Sequence, residues 1–262
     1  MTMSKPSGFA EVNGARLYYE TTGTGEPVIF LHGNTLDARM WDDQFLVFAQ
    51  QYQAIRYDLR GFGKSSPPNA EPFAHADDLN GLLMHLGLAA AHLVGLSRGG
   101  GIALDFAVEY PARVRSLTLV DTTLWGYKGT ASWRPVAEKA REAGWSAAKD
   151  LWLADPLFAP AMEQPAVAAR LKQMVDDYSG WHWIHRGQER LPDPPTSERL
   201  DQIQVPVLAV VGERDLPDFL TIADLLEERI PRARKVILPG VGHVPNMEAP
   251  GQFNERVLSF LR

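Results

Sequence analysis

The chain has 262 residues, 45% of them hydrophobic, with 32 Asp and Glu against 26 Lys and Arg for a net charge of −6. A mildly acidic balance, dispersed without long single-sign runs, argues against nucleic acid or an anionic membrane surface as partner. The absence of cysteine excludes disulfides and thiolate metal sites. It also fits a reducing compartment. No apolar run approaches the ~20 residues needed to span a bilayer. Met1 to Gly14 lacks the apolar centre of a signal peptide. A soluble, cytoplasmic protein is therefore expected, with its oligomeric state left open.

Taken in order, Phe9–Val12 and Arg16–Thr22 alternate apolar and polar residues around Asn13-Gly14, which predicts an antiparallel hairpin at one sheet edge. Pro27–Leu31 is continuously apolar, as a strand covered on both faces would be. It runs into His32-Gly33-Asn34. Trp41, Phe45 and Phe48 then recur at helical spacing. Ala54–Tyr57 is the next strand and leads into Asp58-Leu59-Arg60-Gly61-Phe62-Gly63-Lys64-Ser65. His75–Leu86 predicts a helix with Leu79, Leu82, Leu83 and Leu86 on one face and Asp77, Asp78 and Asn80 mainly opposite. A strand at His92-Leu93-Val94, a helix over 100–107 and a strand at Val114–Val120 follow.

At Asp121 the composition changes. Six of the seven tryptophans lie between Trp125 and Trp183, and 122–200 shows no convincing strand. It reads as helices broken at Gly144, Pro156, Pro160, Pro165 and Gly180, with Val167, Leu171, Met174 and Tyr178 forming an apolar stripe. Pro192, Pro194 and Pro195 make a stiff return. Strands at Pro206–Val211 and Lys235–Leu238 then alternate with helices near Phe219–Arg229 and Gly251–Leu261. This rhythm predicts an α/β fold, a mostly parallel sheet with helices on both faces. Residues 1–121 and 201–262 would form its core, and 122–200 a helical lid over the carboxyl edge of the sheet.

The chemistry centres on Gly95-Leu96-Ser97-Arg98-Gly99, a Gly-x-Ser-x-Gly pattern at a strand-to-helix junction. A serine in so tight a turn lifts its hydroxyl above the sheet, and small flanking residues let the backbone pass closely. A serine hydroxyl needs a base, and His243 follows the strand at 235–238. Asp215 follows the strand at 206–211, where a carboxylate can hold the imidazole tautomer and stabilise the imidazolium. Asp121, at the end of an earlier strand, is a rival for that role. Asp218 looks like the first turn of a helix.

His32-Gly33, Asp58-x-Arg60-Gly61-x-Gly63-x-Ser65, Gly95-x-Ser97-x-Gly99, Gly212-x-x-Asp215 and Gly242-His243 occur in that order. With them the chain resembles the α/β-hydrolase family, specifically its lid-bearing esterase, lactonase and carbon–carbon hydrolase branch. The resemblance covers essentially the whole chain. It implies an α/β-hydrolase fold and the backbone N–H groups of Asn34 and Arg98 as oxyanion donors. It also implies a structural turn at Asp58 and Arg60. The expected activity is cleavage of a small to medium carboxylic ester or lactone through an acyl-enzyme at Ser97, without cofactor or metal. Carbon–carbon hydrolysis, perhydrolysis and a non-catalytic ligand-binding module are the alternatives. Dehalogenase chemistry is disfavoured, because those relatives carry aspartate where Ser97 stands.

Other residues read more plainly. His32, His75, His85 and His92 suit structural or surface roles, and Glu248 suits a loop anchor. His182 and His185, without a carboxylate at matching spacing, suit a pocket wall better than zinc. The Arg98 side chain is expected to turn away and pair with a carboxylate. Trp125 is the lid residue expected to face the site.

Overall fold

A computed structural model describes residues 7–185 and 188–262, so the first six residues of the Met1–Gly14 stretch lie outside it. Asn13 and Gly14 both take positive φ, 47° and 72°, as a tight hairpin turn requires. Around them β1 (Ser7–Val12) and β2 (Ala15–Thr22) pair antiparallel, Val12 opposite Ala15. The remaining strands are β3 (Pro27–Leu31), β4 (Gln53–Tyr57), β5 (Ala91–Leu96), β6 (Val114–Val120), β7 (Val207–Gly212) and β8 (Ala233–Leu238). Among the described residues they form one sheet in the order β1-β2-β4-β3-β5-β6-β7-β8. β2 meets β4 antiparallel, and every later pairing is parallel. Every residue of β3, β5 and β7 is buried, as strands with both faces covered must be.

The helices α1 (Asp42–Phe48), α2 (His75–His85) and α3 (Arg98–Glu109) lie between the first six strands. Phe30 of β3 packs its ring 5.2 Å from those of both Trp41 and Phe48. Asp78 departs from the expected polar face of α2. It is 1% exposed, and its two carboxylate oxygens accept Arg60 Nε at 2.8 Å and Nη2 at 2.6 Å. The helical period could not reveal a buried charge whose partner comes from another loop.

Between β6 and β7 run α4 (Arg134–Ala143), α5 (Trp145–Leu153), α6 (Ala159–Met162), α7 (Pro165–Asp177) and α8 (Trp181–Ile184). The stretch has no strand among its described residues, only a single bridge from Glu189 to Phe73. Gly144 and Gly180, at φ 80° and 78°, separate helices as their freedom allows. Pro160 does not break a helix. It sits in the first turn of α6, where a missing N–H costs nothing. The chain closes with α9 (Pro217–Arg229), α10 (Pro245–Glu248) and α11 (Pro250–Leu261). α9 packs on β7 and β8, and α1 packs on α11.

Candidate active site

Ser97 stands between the end of β5 and the first residue of α3 with φ 54° and ψ −116°. This is a left-handed conformation that L-residues occupy only under constraint. The constraint is visible in the flanking glycines. A Cβ on Gly95 would come within 2.4 Å of the Gly99 carbonyl oxygen, and one on Gly99 within 2.3 Å of the Leu31 carbonyl oxygen. The Ser97 N–H donates to Val120 O at 2.8 Å, and Ser97 O accepts from Gly101 and Thr123 N–H at 3.0 and 3.2 Å. The turn is thus pinned between β5, β6 and α3.

His243 lies in the loop after β8 and is 3% exposed. Its Nδ1 donates to Asp215 Oδ2 at 2.7 Å, and Asp215 Oδ1 accepts the Leu216 N–H at 2.7 Å. Glu248 anchors the loop, accepting Gly242 N–H at 2.8 Å and Val244 N–H at 3.1 Å. These bonds flank His243 on both sides and hold it in place. Phe219 packs its ring 4.5 Å from the imidazole. Asp121 lies beside the pair: one carboxylate oxygen of each aspartate and a ring nitrogen of His243 fall within 4.8 Å of one another. Asp218 is elsewhere. Its carboxylate accepts the Thr130 and Ala131 N–H groups at 2.8 and 2.6 Å, so it fastens the chain beyond β6 to the start of α9.

The candidate oxyanion donors stand just beyond the ends of two adjacent parallel strands, β3 and β5. Arg98 opens α3, so its N–H belongs to the first turn, which has no intrahelical acceptor. Asn34 is placed by His32, whose buried ring bridges two backbones. Its Nε2 accepts Leu59 N–H at 2.9 Å, which leaves Nδ1 to donate to Gly33 O at 2.8 Å. Burial lowers the His32 pKa to about 4, so the ring stays neutral. The Asp58 turn supports the same loop, its carboxylate accepting Ala38 and Lys64 N–H, each at 2.8 Å.

Ser97, Arg98, Asn34 and His243 line one cavity of about 280 Å³. Its apolar wall includes Leu36, Trp133, Trp152, Leu157, Phe158 and Trp183. Trp125 does not belong to it. That indole is 43% exposed, donates to Pro192 O at 3.0 Å, and borders a separate hollow with Ile102 and Leu191. Nearness to β6 in sequence does not bring Trp125 to the cavity; Trp133, just before α4, Trp152 of α5 and Trp183 of α8 fill the wall. His182 stacks on Phe62 at 4.2 Å, and His185 on Trp181 at 4.7 Å. The Arg98 guanidinium is bound to Glu189 and reaches His75 Nε2 at 3.4 Å. Burial, with Arg98 and Arg60 nearby, pushes His75 well below its ordinary range.

Residues 26–250 match the family model described as alpha/beta hydrolase fold, and the chain belongs to the α/β-hydrolase family. It is 26% identical to a pimeloyl-acyl-carrier-protein methyl ester esterase of Nitrosomonas europaea, over 91% of this chain and 97% of that one. It is 29% identical to a 2-hydroxy-6-oxononadienedioate/2-hydroxy-6-oxononatrienedioate hydrolase of Burkholderia vietnamiensis, over 94% and 91%. The solved enol-lactonase from Burkholderia xenovorans LB400 superposes with a TM-score of 0.83 at 28% identity, covering 97% of this chain and 99% of that one. No helix among the described residues is long and apolar enough to cross a membrane.

Proposed function

We propose that this chain is a serine hydrolase that cleaves a small to medium carboxylic ester or lactone through an acyl-enzyme. The observation that carries the proposal is the meeting, in one cavity, of a conformationally constrained Ser97 and a His243 already hydrogen-bonded to Asp215. Ser97 Oγ attacks the acyl carbon while His243 Nε2 takes its proton. The oxyanion is received by the N–H groups of Asn34 and Arg98, each such donor contributing about 3–4 kcal/mol to the transition state. His243 then returns the proton to the leaving alkoxide, and water repeats the sequence on the acyl group. Residues 122–200 serve as the lid, whose tryptophans favour an apolar or aromatic acyl group. The similarity to the Burkholderia vietnamiensis hydrolase keeps carbon–carbon hydrolysis as the second reading.

Turnover of a p-nitrophenyl ester panel and labelling by a fluorophosphonate test the assignment. Labelling once, at Ser97, and its loss with turnover in Ser97→Ala are expected. Asp215→Asn should lower kcat by up to ~10⁴ with the fold intact, and Asp218→Asn by less than about tenfold. Full kcat in Asp215→Asn with collapse in folded Asp121→Asn moves the acid to β6. Ligand-induced stabilisation without sustained turnover makes the chain a binding module.

A further inference from the structure

Behind the bond between His243 and Asp215 stands a carboxyl that the scheme above leaves unused. Asp121 follows β6 as the loop of Asp215 follows β7, and the two strands are neighbours. Asp121 is 1% exposed. Its Oδ1 accepts Gly212 N–H at 2.9 Å, while its buried Oδ2 receives no N–H or O–H from any described residue. Asp215 has already committed Oδ1 to the Leu216 N–H and Oδ2 to His243. Two ionised carboxylates in one buried site repel strongly, and such pairs hold a proton between them. A proton on Asp121 Oδ2 removes the repulsion and turns an unfilled acceptor into a donor, with an Asp215 oxygen at hand to receive it.

We propose that Asp121 is a positioning residue whose carboxyl O–H donates to Asp215. Three donors (Leu216 N–H, His243 Nδ1–H and Asp121 O–H) then lock the Asp215 carboxylate in the orientation that sets the His243 tautomer. The proposal rests on the triad reading above. The electrostatics agree with it. Burial and then the adjacent Asp215 carboxylate push Asp121 well above its ordinary range, and Glu248 adds to the push. The Gly212 N–H acts against them. The pair thus presents one negative charge to His243, not two.

The sign of a pH shift decides the matter, because Asp215, His243 and Glu248 are all present in wild type and in both Asp121 variants. Steady-state kinetics on a p-nitrophenyl ester across pH are measured for wild type, Asp121→Asn, Asp121→Ala and Asp215→Asn. The amide introduced by Asp121→Asn is neutral and still donates. It should keep kcat within about threefold and leave the acid limb of kcat/KM in place, whereas Asp121→Ala should lower kcat ~10–100-fold with little change in KM. The Asp121→Ala limb should also move to higher pH, since Asp215, short of one donor, holds the imidazolium more tightly. An ionised Asp121 demands the reverse. Either substitution would then remove a negative charge and move the limb to lower pH, and that result overturns the proposal. Wild-type kinetics in Asp121→Ala overturn it too. Undiminished turnover in Asp215→Asn sinks the triad reading instead. Should Asp121→Ala fail to fold, infrared difference spectra at pH 8 decide alone. A protonated-carboxyl band present in wild type and absent in Asp121→Asn supports the proposal, and no such difference refutes it.

Discussion

The indole N–H of Trp152 donates to Thr35 Oγ1 at 2.7 Å across 117 positions of sequence. That hydroxyl in turn donates to Asn34 O at 2.6 Å. Helix α5 therefore grips the loop whose N–H is proposed to receive the oxyanion. Trp152→Phe deletes the donor together with the pyrrole part of a buried indole, leaving a buried hydroxyl one partner short beside a small void. Loss of ~1–3 kcal/mol of stability is expected, which for a chain of this size lowers Tm by about 2–4 °C per kcal/mol. A fall in kcat larger than any rise in KM should accompany it. Thermal melts and ester kinetics on the same preparation check both.

Ser97 keeps its positive φ against its own side chain, a conformation that costs on the order of 1–3 kcal/mol in non-glycine residues. Ser97→Gly should consequently abolish turnover and raise Tm. Ser97→Ala should abolish turnover with no such gain, because its Cβ meets the same backbone. Equal melting temperatures for the two variants would show that the turn stores no strain.

Arg98 sits beside Ser97 with its charge offset by Glu189. Neutral and anionic esters should accordingly lose similar amounts of kcat/KM in Arg98→Met. Glu189→Gln frees the guanidinium charge, so kcat/KM for an anionic ester should rise relative to that for a neutral one. Competition between the two esters reads the ratio directly. An unchanged ratio in Glu189→Gln would mean that this charge does not reach the substrate.

Asp105 of α3 is raised to about 6, chiefly by burial and against the pull of the Thr196 hydroxyl, which donates to it at 2.5 Å. A carboxyl raised on folding favours the folded state only while it is protonated. Its contribution is complete below the unfolded value of ~3.9 and is lost as pH rises through about 6. Asp105→Asn stays neutral throughout and should be the more stable protein at pH 8, by ~1–3 kcal/mol. The difference should close by about pH 4. Denaturant titrations at the two pH values measure it.

The sheet was legible from local pattern because each strand announces itself within a few residues. Pro27–Leu31 and Val114–Val120 have the same bounds in sequence and structure. The candidate residues Ser97, Asp215 and His243 were legible because each follows a strand end, and parallel strands bring their carboxyl ends to one edge. Contacts between distant segments were not. Nothing near Asp78 signals Arg60, nothing near Arg98 signals Glu189, and no period points Trp152 at Thr35. Trp125 was chosen by nearness along the chain, which carries no information about the direction a loop leaves the sheet. The pairing of Asp121 with Asp215 depends on β6 and β7 lying side by side, although 86 residues separate Val120 from Val207.

Asp218 and Asp105 hold the long connection between β6 and β7 at its two ends, the first through Thr130 and Ala131, the second through Thr196. Both fasteners belong to helices packed on the sheet, so each end of the connection is tied to the framework itself. The intervening chain is thus a span held at both ends. Between those ends it meets the framework again, through Trp152 on Thr35 and Glu189 on Arg98. Substitutions in the cavity wall are therefore expected to alter rate as well as substrate preference.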